Sequence, residues 1–483
     1  MDRELECRID RYIEEVWEDV VSDISELVSH PSIADADTAQ DGSPFGPSVR
    51  GALDCALGIA ERLGYEVSDD EGYMGIADIP GRLPGHIATI AHVDVVPAGP
   101  GWRTDPFEMA RREGWLLGRG VIDDKGPAVL SLYAGAFLLH EGIVPRHGFR
   151  ALLGCDEEVG MTDVHHYLEG HEEPLFLFTP DAEFPVCNAE KGCFGATFII
   201  PLAHVPEILS WGGAEATNAI PGQSVLELAL DATALPVPMK HADRITIEPL
   251  GPGRSRITAL GIGGHASLPE GTINAIGLLV GYLIESGILG SGAGSMLELM
   301  GAIHADAHGT GLGIAAQSPT FGALTCNAGT VCVNDDGAIE QTIDVRYPDT
   351  ITADELLARC SSVAAAFGAS VAVSRSKPPF SVDSSSPQVQ TLLRIYRDVT
   401  GREAEPFAMG GGTYARNFER AVSFGPEESD LVLPPWAGSM HGPNEAASEE
   451  LLRRALKIYV MAILKLMELD CEGFSEPASM GSR

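Results

Sequence analysis

The sequence predicts an α/β protein whose main domain is interrupted by a smaller α+β domain. The first part of the chain alternates apolar strands with helices, and this alternation returns after residue 376. Between residues 189 and 376, strands outnumber helices. Regular alternation is typical of a largely parallel sheet, whereas clustered strands are typical of an α+β layer. We therefore expect a first α/β segment at 1–188, an inserted domain at 189–376 and a second α/β segment at 377–483.

Length and composition limit the class of protein. A chain of 483 residues exceeds one ordinary core, so two or three domains are expected. The formal net charge of −37 argues against nucleic acids and anionic membranes as partners, because both attract basic surfaces. Nine scattered cysteines predict reduced thiols rather than a disulfide framework. The N-terminal stretch has no apolar signal core, and the longest apolar stretch is too short for a bilayer, so a cytoplasmic protein is expected.

The elements of the first segment follow from hydrophobic periodicity and from turn residues. Helices are predicted at about 8–28 and 49–63, and strands at 87–91, 149–153 and 175–179. A further helix is predicted in "DDKGPAVLSLYAGAFLLHEG", with Pro127 near its first turn and Gly142 after its end. This order predicts βαβ units and a largely parallel sheet.

The inserted segment carries different signals. "NDDG" at 334–337 predicts a hairpin between "GTVCV" and "AIEQTIDVRY". Thr352 and Glu355 have the spacing of a capping box, which predicts that a helix begins there. From Ile257 to Val373 the predicted order is strand, helix, strand, strand, helix, strand, as in a ferredoxin-like layer.

Acidic residues collect where the predicted strands of the first segment end. The strand ends and the following helix start contribute His92 and Asp94, Asp156, Glu157 and Glu158, Asp181 and Glu183, and Asp123 and Asp124. We expect these groups to lie close together, because ligands of open α/β sheets bind outside the carboxyl ends of the strands. So many carboxylates would repel one another strongly unless cations lay among them. Histidine and carboxylate ligands without cysteine suit zinc, manganese or cobalt.

His92 and Asp94 allow two interpretations. Residues i and i+2 share one face of a strand, so the pair is either a salt bridge at the sheet edge or a metal-binding imidazole with its orienting acid. The other acidic clusters favour the metal site. Two ions that share one carboxylate would use this much acid, and an acid that binds neither ion could take a proton from water. In "DEE" the adjacent glutamates point different ways, so one can bind a metal while the other acts as a base.

Five motifs, in this order along the chain, resemble one metallopeptidase superfamily. They are "AHVDVVP", "GRGVIDDKGP", "CDEEVG", "TPDAEFPV" and "MHGPNE". The superfamily is the dizinc group that contains carnosinase, aminoacylase and acetylornithine deacetylase, and the PepV-like dipeptidase branch is the most similar. The resemblance covers nearly the whole chain. It implies a zinc-exopeptidase-type catalytic domain, an inserted lid domain and two divalent metal ions, with Zn²⁺ preferred over Mn²⁺ or Co²⁺.

The resemblance also implies a role for each motif residue. The implied ligands are His92 and Asp181 for one ion, Glu158 and His441 for the other, and Asp123 as the bridge between them. Glu157 is implied as the general base, Asp94 as the residue that orients His92, and Asp124 as a neighbour that binds neither ion. A cis peptide bond after the bridging aspartate is also implied.

The lid motifs imply substrate contacts. "GIGGHASLPEG" places His265 where it would stabilise the oxyanion of the transition state. "EATNAIPG" and "DVRYP" provide Asn218 and Arg346, which would hold a free substrate carboxylate. "GGGTYAR" either borders the same pocket or forms a tight turn.

The implied activity is hydrolysis of unblocked dipeptides by a metal-activated water, with Glu157 as the base. One alternative is an N-acyl-amino-acid deacylase or carboxypeptidase of the same superfamily, and another is an inactive binding scaffold. By the resemblance, an aspartate after "TP" favours the dipeptidases, and Asp181 stands there. A full set of ligands together with the base favours an enzyme. Both a monomer and a homodimer formed through the lid agree with the sequence.

Overall fold

The chain divides into two compact units. The structure is a computed structural model that describes residues 3–202, 205–214 and 216–469. The first unit comprises Met1–Asn188, Ser381–Phe407 and Gly412–Arg483, and the second comprises Ala189–Phe380 and Ala408–Gly411.

The sheet of the first unit is parallel at its centre. Its central strands lie in the order His147–Gly154, Leu83–His92, Phe176–Thr179 and Ala421–Ser423, and neighbouring strands run parallel. Glu66–Asp70 and Met74–Ile79 extend one side in antiparallel pairing. Further short strands of this sheet are Cys187–Glu190, Phe380–Ser381 and Phe407–Met409. The predicted α/β class with a largely parallel sheet is therefore confirmed, although antiparallel strands flank the parallel centre.

The helices of the first unit bury apolar faces. They are Arg3–Val28, Pro47–Leu63, Lys125–His140, Thr162–Gly170, Pro387–Thr400 and Glu449–Leu466. In Arg3–Val28 the buried residues recur at helical spacing, as at Ile9, Ile13 and Trp17, so one face of this helix lies in the core. Lys125–His140 is buried around nearly its whole circumference and contacts both the first and the last of these helices. This central helix fixes the loop that precedes it, which carries Asp123.

The second unit is built on an antiparallel sheet of eight strands within the described residues. They are Gly192–Pro201, Ile208–Gly213, Gln223–Leu228, Ile245–Gly251, Arg254–Leu260, Thr325–Val333, Ala338–Tyr347 and Ser370–Lys377. The helices are Ala275–Ser286, Gly294–Ile303 and Ala353–Ala366. The hairpin at 334–337 is confirmed, and so is the capping box of Thr352 and Glu355. An inserted α+β domain is thus confirmed.

This second sheet is wider than the predicted four-strand layer. Gly192–Pro201 lies between Ala338–Tyr347 and Ser370–Lys377, and two more strands separate Arg254–Leu260 from Thr325–Val333. The added strands come earlier in the chain than the predicted motif. Gly192–Pro201 pairs with strands that lie far along the chain, so local patterns carried no sign of its place in this sheet.

Several short strands complete the structure. They are Ala110–Arg112, Trp115–Leu117, Ala182–Glu183, Ala219–Ile220, Gly264–His265, Gln317–Ser318, Gly322–Ala323, Pro426–Glu427 and Ala446–Ser448. Among the described residues, no helix combines the length and the apolar character needed to cross a membrane.

Candidate active site

The first unit gathers the candidate ligands at one edge of its sheet. His92 ends the strand Leu83–His92, and Asp181 lies two residues after Phe176–Thr179. Glu158 follows the neighbouring strand, His147–Gly154, by four residues. These strands are adjacent and parallel, so the residues that follow them meet at the same edge. Asp123 and His441 come from loops, the first before the buried central helix and the second before Ala446–Ser448.

Two groups of three residues could each hold a cation. His92, Asp123 and Asp181 form one group, and Asp123, Glu158 and His441 form the other, with ligand atoms of each group within 4.8 Å of one another. In the first group, Nε2 of His92 lies 3.0 Å from Oδ1 of Asp123 and 3.9 Å from Oδ2 of Asp181. In the second group, Nε2 of His441 lies 2.8 Å from Oδ2 of Asp123 and 3.2 Å from Oε1 of Glu158. Asp123 therefore offers one oxygen to each group.

The site concentrates negative charge. Burial and the charge of Asp123 raise the pKa of Asp181 to about 7, and the same two causes raise the pKa of Glu158. Contacts with His441 and His92 hold the pKa of Asp123 below its usual range, although burial acts in the opposite direction. Hydrogen bonds to Asp123 and Glu158 raise the pKa of His441 to about 11. Two imidazoles thus face three carboxylates.

The donor set fits two divalent cations. It consists of imidazole and carboxylate groups, which suit catalytic zinc and related ions. Nδ1 of His92 lies 3.0 Å from the backbone carbonyl oxygen of Asp94. A carbonyl oxygen only accepts, so Nδ1 carries the proton, and in the neutral ring Nε2 presents its lone pair to a cation. In addition, the buried Oε1 of Glu157 has no hydrogen-bond partner among the described residues.

Asp94 connects one ligand to the turn that carries the two glutamates. Its carboxylate accepts hydrogen bonds from the backbone N–H groups of Glu157 at 3.3 Å and of Glu158 at 3.2 Å. The same carboxylate lies 3.4 Å from Nδ1 of His92. The strand ends at His92, so Asp94 lies in the turn after it and not on the strand as expected, but the two side chains still lie together. One buried acid therefore positions both His92 and the "DEE" turn.

The structure separates the roles of Asp123 and Asp124. Oδ2 of Asp124 accepts the backbone N–H of His92 at 3.1 Å, whereas Asp123 belongs to both groups of candidate ligands. The peptide bond between these two aspartates is cis.

Sequence reasoning missed three residues that support the site. Asp163 accepts hydrogen bonds from the backbone N–H groups of Cys155 at 2.6 Å and Asp156 at 3.0 Å, and it also contacts the hydroxyl of Tyr414. These contacts fix the end of the strand just before Glu157. A Cβ on Gly154 would lie 2.1 Å from the Tyr414 hydroxyl oxygen, so glycine is required there. The other two missed residues are Arg119 and Glu445. They belong to the motifs "GRGVIDDKGP" and "MHGPNE", and this membership could have identified them.

In the second unit, His265 and Asn218 lie on neighbouring segments. The strand Ala219–Ile220 pairs with Gly264–His265, with Ala219 opposite His265. The carbonyl oxygen of Asn218 accepts the backbone N–H of Ala266 at 2.8 Å. Both side chains are exposed, and Nδ1 of His265 lies 2.6 Å from Oγ of Ser267.

Arg346 is buried and already paired. Its Nε and Nη2 donate to the two carboxylate oxygens of Asp344 at 2.6 and 3.1 Å. Nη1 donates to the carbonyl oxygen of Gly410 at 2.9 Å and contacts Sγ of Cys193 at 3.0 Å. A Cβ on Gly410 would lie 2.6 Å from Cβ of Ser267, so this glycine allows its segment to approach the His265 loop. Close contacts thus connect the segments of the second unit that carry Asn218, His265 and Arg346.

Comparison with known proteins agrees with this arrangement. A family model described as peptidase family M20/M25/M40 matches residues 88–465. YtjP of Bacillus subtilis (strain 168) is 30% identical over 461 residues, which cover 93% of this chain and 97% of YtjP. A Beta-Ala-Xaa dipeptidase of Lactobacillus delbrueckii subsp. lactis is 29% identical over 465 residues, covering 92% of this chain and 96% of the relative.

A solved structure supports the fold. Human carnosine dipeptidase 1 superposes with a TM-score of 0.58 at 14% identity, and the match covers 96% of this chain and 99% of the human chain. At this identity the similarity concerns the fold alone. The family match spans most of the chain and includes every candidate metal ligand, from His92 to His441. The resemblance carried by the five motifs is therefore confirmed, and the chain is a metallopeptidase that belongs to peptidase family M20/M25/M40.

Proposed function

We propose that this metallopeptidase is a dipeptidase that hydrolyses unblocked dipeptides with two divalent metal ions, Zn²⁺ being the first candidate. The observation that carries the proposal is the sharing of Asp123 between two groups of candidate ligands. A shared carboxylate is what a site with two ions about 3.5–4 Å apart requires. The name of the Lactobacillus relative, a Beta-Ala-Xaa dipeptidase, supports the substrate class.

The proposed chemistry divides between the ions and the side chains. When bound, the two ions would polarise the scissile carbonyl and lower the pKa of a water molecule. Glu157 takes the proton of the attacking water and passes it to the leaving amine. The buried Oε1 of Glu157 supports this role, because no described residue occupies it with a hydrogen bond. Asp94 holds the backbone of Glu157, so the base and the ligand His92 keep a fixed relation.

The lid residues provide the remaining functions of the proposal. His265 donates a hydrogen bond to the oxygen that gains charge in the transition state. Asn218 and Arg346 bind the free carboxylate of the substrate. A guanidinium has five N–H groups, and contacts with Asp344, Cys193 and Gly410 use four of them. One N–H of Nη2 remains for the substrate, so we expect Arg346 to make a single hydrogen bond to the substrate carboxylate.

Asp181 distinguishes the dipeptidase from its alternatives. A dipeptidase must recognise a free amine, and an acid beside the first ion would attract the ammonium group. Oδ2 of Asp181 lies 3.9 Å from Nε2 of His92, which supports a role both as a ligand of that ion and as the partner of the substrate amine.

The decisive experiment combines metal analysis with a substrate panel. We expect close to two ions per chain, reversible loss of activity on chelation, cleavage of unblocked dipeptides and no cleavage of N-acetylated amino acids. Faster hydrolysis of the acetylated compounds would favour the deacylase alternative. Binding of dipeptides without turnover by the fully loaded protein would favour a scaffold.

A further inference from the structure

A buried ion pair joins the loops that carry metal ligands. Arg119 and Glu445 contact each other through Nη1 and Oε2, and their side chains are 1% and 0% exposed. The two residues are 326 positions apart in the chain. Neither belongs to a group of candidate ligands, and the proposed reaction gives neither a role.

Glu445 holds the loop of the bridging residue. Its Oε1 accepts hydrogen bonds from the backbone N–H groups of Gly120 at 3.0 Å, Ile122 at 3.2 Å and Asp123 at 3.4 Å. The backbone carbonyl oxygen of Glu445 accepts another from Gly118 at 3.0 Å. One carboxylate oxygen therefore closes the loop into a single conformation that ends at Asp123.

Arg119 holds two other loops from the same point. Its Nη2 donates to the carbonyl oxygen of His441 at 3.1 Å and lies 3.4 Å from the carbonyl oxygens of Pro97 and Ala98. His441 has φ of 60°, in the left-handed region that non-glycine residues rarely adopt. Such a backbone needs support from its surroundings, and Arg119 supplies a hydrogen bond at that residue.

The contacts of Arg119 and Glu445 support one of the two groups of candidate ligands more than the other. Asp123 and His441 meet in the group that also contains Glu158, and the ion pair holds the backbone of both. The first group depends additionally on His92, which Asp94 orients independently of the ion pair. Loss of Arg119 and Glu445 would therefore disturb the second group more than the first.

We propose that Arg119 and Glu445 are positioning residues for the ion held by Asp123, Glu158 and His441. This inference rests on the two-metal function proposed above. Residues that orient metal ligands through hydrogen bonds typically contribute 10–100-fold to metal affinity. The alternative is that the pair only stabilises the fold, in which case the affinity of the folded protein for metal would not change.

The test measures metal binding rather than activity. The variant is Arg119→Met/Glu445→Met, which removes the carboxylate that holds the loop and removes both charges together, so that neither is left buried without its partner. The control is Arg150→Met/Asp78→Asn, which removes a two-pronged ion pair of the same unit that joins two strands. Each purified protein is dialysed to equilibrium against buffered Zn²⁺ concentrations, and circular dichroism gives the folded fraction.

We expect the wild-type protein and the control to bind two ions, and the variant to bind its second ion about 10–100-fold more weakly. Adding the variant changes to His441→Ala should cause no further loss, because His441→Ala already removes that ion. Adding the same changes to Asp181→Ala should weaken the binding of the one ion that this variant retains. Wild-type binding of both ions by the variant would overturn the inference, and so would equal weakening by the control.

A milder variant protects the test against misfolding. Arg119→Met/Glu445→Gln keeps an oxygen that can accept the three N–H groups, whereas Arg119→Met/Glu445→Met does not. We expect Arg119→Met/Glu445→Gln to lose less affinity for the second ion than Arg119→Met/Glu445→Met, and equal affinities in the two folded variants would contradict the inference. Fewer than two ions in the wild-type protein would instead contradict the proposed function, so the two failures are distinguishable.

Discussion

The candidate residues of the two units are held in opposite ways. In the first unit, buried acids hold the segments that carry two candidate ligands, Asp123 and Glu158, and the proposed base Glu157. Asp94 and Glu445 do so by accepting backbone N–H groups. In the second unit, His265 and Asn218 are exposed on short segments, and only Arg346 is buried. The first arrangement provides a preorganised cluster of charged groups, whereas the second provides hydrogen-bond donors on short, mostly exposed segments.

This difference predicts a gradient of effects. In the proposed mechanism, the groups of the first unit either hold an ion or move a proton, so we expect their loss to stop the reaction almost completely. The donors of the second unit are proposed to act on one oxygen or one carboxylate of the substrate, so we expect their loss to weaken a single step.

The largest effect is expected from Glu157→Ala. Turnover should fall about 10²–10⁴-fold, because no other group is placed to take the water proton. Both ions should remain, since Glu157 belongs to neither group of ligands. Kinetics and metal analysis on the same preparation test this. The matched variant Glu158→Ala should lose one ion, and an exchange of the two phenotypes would reverse the assignment within "DEE".

The sequence was sufficient for the fold class and for the acidic cluster, for a physical reason. Strand ends are visible as the points where apolar runs stop, and in a parallel sheet those ends meet. His92, Glu158 and Asp181 follow three such strands, which are neighbours in the sheet. His441 has no such signal, because it lies in a loop, and only the resemblance of "MHGPNE" pointed to it.

The sequence was insufficient where contacts are distant or pass through the backbone. The contact of Arg119 with Glu445 spans 326 positions, and no local pattern encodes it. The hydrogen bond from the backbone N–H of Glu157 to Asp94 depends on the conformation of the turn and not on the side chain at position 157, so the sequence does not indicate it. Asp344, in contrast, could have been predicted as the partner of Arg346. It lies two residues earlier on the same strand, so the two side chains share one face of the sheet.

The second largest effect is expected from His265→Ala. Loss of a donor to the developing oxyanion typically lowers kcat about 10²–10³-fold, with a much smaller change in KM. Metal content should stay at the wild-type value, because His265 belongs to the second unit and to neither ligand group. Steady-state kinetics on a dipeptide give the measurement. Turnover within a factor of two of wild type would exclude His265 from the reaction and leave the first unit as the whole active site.

A smaller effect, confined to binding, is expected from Arg346. Removing an ionic hydrogen-bond partner costs about 1.5–3 kcal/mol, or roughly 10–150-fold, which should be visible in KM. Arg346→Ala alone would leave Asp344 buried without its partner, so the test uses Arg346→Ala/Asp344→Ala. The control uses two forms of one substrate: a dipeptide with its free carboxylate and the same dipeptide as a C-terminal amide. The amide lacks the carboxylate, so the variant should lose little on it, and an equal loss on both substrates would contradict the assignment.

The smallest effect is expected from Ser267→Ala, and its size depends on the tautomer of His265. The backbone N–H of Ser267 lies 3.3 Å from Nδ1 of His265, and an N–H group can only donate, so Nδ1 accepts and Nε2 carries the proton. The hydroxyl of Ser267 adds a second contact to Nδ1 at 2.6 Å. Ser267→Ala removes the hydroxyl but keeps the backbone donor, so the tautomer should survive. We therefore expect kcat to fall by only about 2–12-fold, the equivalent of one hydrogen bond of about 0.5–1.5 kcal/mol. In a His265→Ala background the same change should have no effect on kcat. A loss as large as that of His265→Ala itself would mean that the hydroxyl alone sets the tautomer and that the exposed framework of the second unit does not.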